Sequence, residues 1–374
     1  MRLFILAGEP SGDRIGAALV TALRQRTVIE LTGIGGPALG EAGLESIFPM
    51  HDLSVMGYTD VLARLPLLLW RLNQTVAAIR RTRPDIVVLI DAQEFSYRVG
   101  RAVRRFALGL PILLYVAPTV WGWKPERAGM IAPIFTEVLA VFPFEPAAMA
   151  RLGGPPTSYV GHPAIGRLGA APAPGREADL LALLPGSRPG EVRRHLPMLI
   201  ETAALLRADM PELRFVLPTL PMLEPMVRAA AKTRGLDVAI VTGRGEAEAA
   251  MRRAMMAVAA MGTVTLELAA AGTPMVAFYV ADRIQPRLYD RIRPRFVSLP
   301  NILLDRPVVE ELLFRAPDAI RLAKGALRLL RDPDARQAQR RAFAEIRQLM
   351  AQGLPDAPRV DAADRVLALT RRLA

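Results

Sequence analysis

The sequence predicts an α/β protein made of two Rossmann-like, doubly wound domains, and three observations support this fold class. Apolar runs of strand length alternate with helical patterns along most of the chain. These runs are apolar at nearly every position, which is typical of parallel strands covered by helices on both faces. The length of 374 residues is long for one domain and sufficient for two, each with its own core.

The first series of strand and helix patterns fills the N-terminal part of the chain. Its strand-length runs are LFILAG, VIELTGIGG, DIVVLIDA, PILLYVAP and EVLAVFPF. A helix is predicted after the first run, from about Ile15 to Gln25. We therefore expect an N-terminal domain over residues 1–165.

A stretch rich in Gly, Ala and Pro, from Gly161 to Gly175, has no periodicity and predicts the linker. A second series follows, with the runs DLLALLPGS, LRFVLPT, DVAIVTG, MMAVAAMGT and TPMVAFYV, and helical segments extend from Asp318 to Ala374. We expect a second domain over residues 166–350 and a closing helix over residues 351–374. Because ligands bind outside the carboxyl ends of parallel strands, two such domains in tandem predict a deep interdomain cleft.

Composition excludes several kinds of site. The chain has no Cys, so disulfides, zinc–thiolate centres and cysteine nucleophiles are excluded. Its 3 His are scattered without ligand spacing, and we expect neither a metal nor a cofactor. The apolar N-terminal run is too short for a signal peptide and leads directly into a glycine loop, which predicts a cytoplasmic protein.

The formal net charge of +12 comes almost entirely from arginine, since lysine occurs only at Lys124, Lys232 and Lys324. A compositional preference for Arg over Lys explains part of it. The functional alternatives are nucleic acid, an anionic membrane surface and phosphorylated substrates. No interleaving of basic and aromatic residues occurs, so we expect no nucleic-acid partner.

Glycine-rich corners follow several strands and are candidates for phosphate binding. In the first half, GEPSGD (Gly8–Asp13) and GIGGP (Gly33–Pro37) both depart from the dinucleotide fingerprint, and no P-loop motif occurs. In the second half, PGSR (Pro185–Arg188) leads into a helix. It is either an anion site with a guanidinium beside a helix N-terminus or a turn whose arginine points into water. On this stretch alone, neither interpretation is favoured.

A second glycine corner, in MGTVTLELAAAGTP, bears on the choice between an anion site and a simple turn. Gly262 and Thr263 end a strand and open a helix whose second turn carries Glu267. The glycine would admit a diphosphate, and the glutamate would accept hydrogen bonds from ribose hydroxyls, although a packing helix with an incidental carboxylate is the alternative. The two corners together favour a nucleotide diphosphate site. Its candidate residues are Gly186, Ser187, Arg188, Gly262, Thr263 and Glu267.

The segment Val55–Pro84 predicts a helix that is apolar on every face from Leu65 to Trp70. This run is far too short to span a bilayer. With Arg64 and Arg71 beside it, the run is typical of a membrane interface, and a buried helix or a dimer face is the alternative. Pro66 is expected to begin or kink the helix. The candidate membrane contacts are Leu62, Leu65, Leu68, Leu69 and Trp70.

LIDAQEFSYR ends a buried run and opens a helix, which places Asp91 and Glu94 at the edge of the sheet. Asp91 is a candidate general base for deprotonating an attacking hydroxyl, and a helix N-cap is its alternative role. We favour the base because Asp91 directly follows the buried run.

Motifs along nearly the whole chain together resemble the lipid-A-disaccharide synthase family. They are AGEPSGD, VMGYTDVL, IDAQEF, YVAPTVWGWKPER, FPFE, GHP, LLPGSRPGEV, GTVTLELAAAGTPMV and SLPN. The resemblance implies a GT-B glycosyltransferase arrangement and a metal-independent enzyme peripherally bound to the inner face of the inner membrane. It implies inverting transfer of 2,3-diacylglucosamine from UDP-2,3-diacylglucosamine to the 6-hydroxyl of 2,3-diacylglucosamine 1-phosphate.

The resemblance also implies residue roles. Asp91 becomes the catalytic base, Arg188 contacts the UDP diphosphate, and Asn301 of SLPN joins the nucleotide pocket. Where the family usually has Asp-Ala-Pro-Asp-Phe-Asn, this chain has Gln93, Glu94 and Ser96 at the third, fourth and sixth positions. These departures affect positions that would hold the acceptor sugar.

Three alternatives stay open at this point. Two are other UDP-sugar enzymes of the same fold, a UDP-N-acetylglucosamine 2-epimerase or a cell-wall glycosyltransferase. The third is a non-catalytic, membrane-associated binding protein. A homodimer through the C-terminal helices is also an expectation.

Overall fold

The computed structural model describes residues 1–53, 58–168, 175–281 and 295–371, with only the backbone described for residues 58–63 and 167. The chain divides into two compact units. The first comprises Met1–His162 together with Gln352–Ala374, and the second comprises Pro163–Ala351. Among the described residues, no helix is both long enough and apolar enough to cross a membrane.

The first unit is built on a six-stranded parallel sheet with the order β2-β1-β3-β4-β5-β6. β1 and β3 are interior strands of this sheet, and the apolar side chains of both are buried on each face, as their uninterrupted apolar sequences predict. The strands are β1 Arg2–Ala7, β2 Glu30–Ile34, β3 Ile86–Ile90, β4 Ile112–Tyr115, β5 Glu137–Ala140 and β6 Thr157–Tyr159.

Helices cover both faces of this sheet. They are α1 Pro10–Arg24, α2 Pro37–Glu41, α3 Tyr58–Thr82, α4 Gln93–Arg104, α5 Arg127–Ile131 and α6 Glu145–Arg151. α1 begins five residues before the predicted start, because Pro10 suits the first turn, where its missing N–H costs no hydrogen bond. Pro66 lies inside α3 and does not begin it.

The second unit has its own six-stranded parallel sheet, with the order β12-β11-β10-β7-β8-β9. Its strands are β7 Glu177–Leu184, β8 Arg214–Pro218, β9 Ala239–Val241, β10 Ala254–Ala260, β11 Met275–Val280 and β12 Glu310–Phe314. Its helices are α7 Pro163–Leu168, α8 Pro189–Asp209, α9 Glu224–Thr233, α10 Arg244–Arg253, α11 Thr263–Ala271, α12 Leu299–Leu304, α13 Ala319–Arg331 and α14 Pro333–Gln352. α7 falls within the stretch from which the sequence predicted only an irregular linker.

The C-terminal segment returns to the first unit. After α14, a short hairpin of β13 Gly353–Leu354 and β14 Ala357–Pro358 leads to α15 Ala362–Arg371. Arg365 of α15 makes a two-pronged ion pair with Glu137, whose side chain is almost fully buried at the start of β5. A paired, hydrogen-bonded charge of this kind fixes the geometry of the docked helix more than it adds stability.

Candidate active site

The two glycine corners of the second unit lie at the same edge of its sheet. β7 and β10 are neighbours, with Leu184 level with Ala259, so the corners that follow them emerge side by side. Gly186 has a φ of 113°, a conformation that side chains disfavour. A Cβ on Gly186 would also stand 3.1 Å from the carboxylate of Glu191. The corner therefore requires glycine.

Arg188 stands at the N-terminus of α8, where its backbone forms the N-cap. Its side chain is 69% exposed, and one guanidinium nitrogen lies 3.1 Å from the Glu191 carboxylate. An exposed pair of this kind is weak, so an incoming diphosphate could replace the carboxylate as the partner of Arg188. The N-terminus of a long helix adds the positive end of its dipole at the same place.

The second corner opens α11. Gly262 is the N-cap residue, and the hydroxyl of Thr265 donates a 2.8 Å hydrogen bond to its carbonyl. Gly262 and Thr263 are exposed, whereas Glu267 is half-buried in the second turn. Nearly all the rest of α11 is apolar and buried, which explains why this helix lacks a polar face.

Asn301 lies on α12, and its amide has a full set of partners. Its nitrogen donates to the Val309 carbonyl at 2.9 Å and to Glu311 at 2.8 Å, and its oxygen accepts from the N–H groups of Val308 and Val309. In the register of the sheet, Glu311 pairs with Ala277 of β11, and Ala277 pairs with Ala259 of β10. Asn301 thus shapes the loop before β12. Its partner Glu311 lies in the same row of the sheet as Leu184 and Ala259, the residues that shortly precede the two corners.

Glu311 is a residue that the sequence analysis missed. Besides Asn301, its carboxylate accepts hydrogen bonds from the N–H groups of Val297 and Ser298 and from the Ser298 hydroxyl. Only the proximity of SLPN to an acidic residue at the start of the last apolar run could have indicated it.

In the first unit, Asp91 follows β3 in a strained conformation. Asp91 and Ala92 have φ values of 53° and 44°, in the left-handed region that residues other than glycine rarely adopt. The carbonyl of Asp91 accepts a 2.7 Å bond from the Ser96 hydroxyl, and its N–H donates to the Tyr115 carbonyl. The N-cap residue of α4 is Ala92 and not Asp91. Strain of this kind is common at functional sites.

The structure shows the contacts of Gln93, Glu94 and Ser96, the three residues that depart from the family pattern. Glu94 forms ion pairs with Arg98 at 3.2 Å and with Arg127 at 3.4 Å, and so joins α4 to α5. Ser96 is fully buried and supports the Asp91 turn. Gln93, Glu94 and Arg127 line a pocket of about 110 Å³, and most of its other lining residues are apolar.

The glycine corners of the first unit are joined to each other. Asp13 of α1 is buried, and its carboxylate accepts from the N–H groups of Gly36, Ala38 and Leu39, at 2.8, 2.9 and 3.1 Å. It therefore occupies the N-terminus of α2. Because these donors already face a carboxylate, GIGGP does not offer them to a phosphate.

A buried glutamate holds the loop after β5. Glu145 is 1% exposed and accepts from the N–H groups of Val141 and Phe142 and from the Trp121 indole. Burial raises the pKa of Glu145 to about 8, against the opposing effect of these hydrogen bonds. From sequence, FPFE contributed only to the family resemblance, and no role was predicted for this glutamate.

The apolar surface predicted on α3 is present in part. Leu65, Leu69 and Trp70 are 38%, 44% and 56% exposed. Leu68 instead packs against the core of the first unit, and the side chain of Leu62 lies outside the described residues. Arg71 differs from expectation, since it is ion-paired with Asp52 at 2.7 Å and its side chain is only 12% exposed. Of the two basic residues expected to face a membrane, Arg64 alone is exposed.

Over the described residues, His, Asp and Glu side chains form no group of three or more that could hold a metal ion.

The fold is similar to that of solved UDP-sugar enzymes of the GT-B class. The S. aureus MnaA–UDP co-structure is similar, with a TM-score of 0.63 and 12% identity over 91% of each chain. The UDP-GlcNAc 2-epimerase from Neisseria meningitidis, bound to UDP-GlcNAc, has a TM-score of 0.63 at 10% identity over 100% of each chain. Similarity at this level of identity confirms the predicted fold class.

Sequence comparison identifies the family. A family model described as Lipid-A-disaccharide synthetase matches residues 3–359. The lipid-A-disaccharide synthase of Nitrobacter winogradskyi is 40% identical over 99% of this chain and 96% of its own. That of Rhodospirillum centenum is 41% identical over 99% of this chain and 95% of its own. The chain belongs to the lipid-A-disaccharide synthase family and is a glycosyltransferase of lipid A biosynthesis, which rules out the non-catalytic alternative.

Proposed function

We propose that the chain transfers 2,3-diacylglucosamine from UDP-2,3-diacylglucosamine to the 6-hydroxyl of 2,3-diacylglucosamine 1-phosphate, with inversion at the anomeric carbon. The products are lipid A disaccharide 1-phosphate and UDP. The observation that carries this proposal is the family match, which extends over almost all of the chain.

Donor binding is assigned to the paired corners of the second unit. Arg188 and the N-termini of α8 and α11 supply positive charge for the UDP diphosphate, and Gly186, Ser187, Gly262 and Thr263 supply close backbone approach. Glu267 accepts from the ribose hydroxyls. Asn301 acts by shaping its loop, since its amide is fully hydrogen-bonded.

Proton transfer is assigned to Asp91. The acceptor oxygen forms a bond to the anomeric carbon as its proton passes to the Asp91 carboxylate. The bond between that carbon and the diphosphate oxygen breaks at the same time, and UDP leaves with the electron pair. Arg188 and the two helix N-termini stabilise the charge that develops on the leaving group, a role that needs no metal.

Membrane contact is assigned to the exposed apolar side chains of α3. Leu65, Leu69 and Trp70 would enter the interface of the cytoplasmic membrane, where both diacylated substrates reside. Arg64, which is exposed beside them, would lie near anionic headgroups. A homodimer through the C-terminal helices remains a prediction.

The reaction is tested with purified protein in detergent micelles, supplied with UDP-2,3-diacylglucosamine with and without 2,3-diacylglucosamine 1-phosphate. Mass spectrometry follows UDP and the disaccharide phosphate. We expect both products only when the acceptor is present. Absence of the disaccharide, together with epimerisation of UDP-N-acetylglucosamine in a parallel reaction, would contradict the proposal and favour the epimerase alternative.

A further inference from the structure

His195 lies two turns into α8 and is completely buried. Its Nδ1 is 2.8 Å from the carbonyl oxygen of Pro185, the residue before Gly186. Its Nε2 accepts a 3.2 Å hydrogen bond from the N–H of Val280, the last residue of β11. The rings of Phe278 and Tyr279 contact the imidazole edge-on, with centroids 5.2 and 5.1 Å away.

These contacts fix the protonation of the ring. The N–H of Val280 can only donate, so Nε2 must be the unprotonated nitrogen that accepts. The Pro185 carbonyl can only accept, so Nδ1 must carry the proton. The imidazole is therefore the neutral Nδ1–H tautomer.

The surroundings favour this neutral form. Burial lowers the pKa of His195, and the hydrogen bond to the Pro185 carbonyl and the charge of Glu191 only partly oppose that effect. Arg194 on the same helix acts in the lowering direction, and Tyr279 is the titratable side chain that faces the ring from β11.

The ring connects the ends of two strands, β7 and β11, at the edge where the corners lie. In the sheet order, β10 stands between β11 and β7. His195 bonds to the residue that follows β7 and to the last residue of β11, and so it bridges two strands that lie on either side of β10, the strand that precedes Gly262. Its bond to Pro185 also ties the start of the Gly186–Arg188 corner back onto α8.

We propose that His195 is a positioning residue that holds the Pro185–Arg188 corner in the conformation that receives a nucleotide diphosphate. This assignment rests on the proposed function for its ligand. The positioning itself is a property of the free protein. With the corner already fixed, the diphosphate does not have to order it on binding, which is the general advantage of preorganisation.

The test compares three variants of the full-length protein. His195→Leu removes both hydrogen bonds, whereas His195→Gln keeps one donor and one acceptor on a side chain of comparable reach. Thr202→Val is the matched control, because Thr202 is also completely buried on α8 and bonds to Ala319 of α13, away from the corner. Amide hydrogen exchange of Gly186, Ser187 and Arg188 is measured without ligand, and UDP affinity is measured by calorimetry.

We expect His195→Leu to speed exchange at the three corner amides and to weaken UDP binding about tenfold, as loss of one net hydrogen bond would. His195→Gln should show nearly normal amide exchange at the corner and nearly normal UDP affinity. Thr202→Val should change neither the exchange of the corner amides nor the UDP affinity. Unchanged corner exchange in folded His195→Leu, or equal effects in Thr202→Val, would overturn the positioning role.

The two proposals fail separately. Faster corner exchange in His195→Leu combined with no UDP binding by the unaltered protein would overturn the donor-site assignment and leave His195 as the residue that fixes the corner. Unchanged exchange with normal UDP binding in His195→Leu would overturn the role of His195 and leave the donor site intact.

Discussion

At the scale of single residues, the proposed donor site depends on the charge of Arg188, which forms only a weak ion pair in the free protein. The guanidinium of Arg188 is mostly exposed, and its ion-pair partner, Glu191, lies in the first turn of the same helix. Exposed pairs three residues apart contribute little to stability. Arg188 can therefore change partners at little cost when a diphosphate arrives.

Replacing Arg188 by Ala should weaken UDP binding about ten- to hundredfold, because a charge-assisted hydrogen bond to the diphosphate is lost. The melting temperature should change little. Arg193→Ala is the matched control, since Arg193 is an exposed arginine on the same helix. Calorimetric titration with UDP checks both variants, and equal affinities in the two would remove Arg188 from the donor site.

At the scale of elements, the carboxyl edge of the first sheet carries the unusual backbone. Asp91 and Ala92 after β3 and Val116 after β4 all have positive φ, which is a true outlier for a β-branched residue. Glu145 fixes the turn after the next strand, β5, through two backbone N–H groups. Three neighbouring strands thus end in constrained turns around Asp91.

Glu145 gives the first unit a pH dependence with a definite sign. The pKa of Glu145 is raised to about 8 by burial, so the folded protein binds its proton more tightly than the unfolded chain does. This contribution to stability is complete below the ordinary pKa of glutamate and is lost as pH rises through about 8. Glu145→Gln cannot ionise and should lack that loss.

Urea unfolding of the two proteins checks this expectation between about pH 5 and about pH 9. The free energy of unfolding of the unaltered protein, relative to Glu145→Gln, should fall across that range. A difference that stays constant with pH would show that Glu145 is ionised throughout.

The strands and the glycine corners could be predicted from sequence because both are local signals. Uninterrupted apolar runs mark buried parallel strands, and a glycine after such a run marks the turn. Asp91 could be singled out because it directly follows a buried run, and Arg188 because it lies in a glycine corner between a strand and a helix.

The supporting side chains could not be predicted, because their partners are backbone groups from distant elements. His195 bonds to Val280, 85 positions away, and Asp13 bonds to Leu39, 26 positions away. A lone buried histidine or aspartate has no periodicity that reveals such a partner. Leu68 and Arg71 show a second limit of prediction from sequence. The presence of an apolar or basic residue in a helix does not by itself indicate whether its side chain faces the core or solvent.

At the scale of the whole molecule, the net charge of +12 and the exposed apolar face of α3 suit an anionic membrane surface. We expect a double variant, Leu69→Ser with Trp70→Ser, to lower partitioning onto phosphatidylglycerol vesicles about tenfold or more, because two apolar side chains no longer enter the interface. Vesicle flotation measures the bound fraction.

Leu108→Ser is the matched control for that experiment. Leu108 is 84% exposed in the first unit but lies outside α3, so its replacement should leave flotation unchanged. If the double variant floats like the unaltered protein, the exposed face of α3 is not the membrane contact.

The assignment of Asp91 as the base is tested most directly by the turnover of Asp91→Asn, measured as acceptor-dependent release of UDP. Asp85→Asn serves as the matched control, because Asp85 stands just before β3, at the opposite end of that strand from Asp91, and is ion-paired with Arg2. We predict a fall in kcat of about a hundred- to ten-thousandfold for Asp91→Asn, with UDP affinity nearly unchanged. Turnover of Asp91→Asn equal to that of the unaltered enzyme would contradict the assignment of Asp91 as the base.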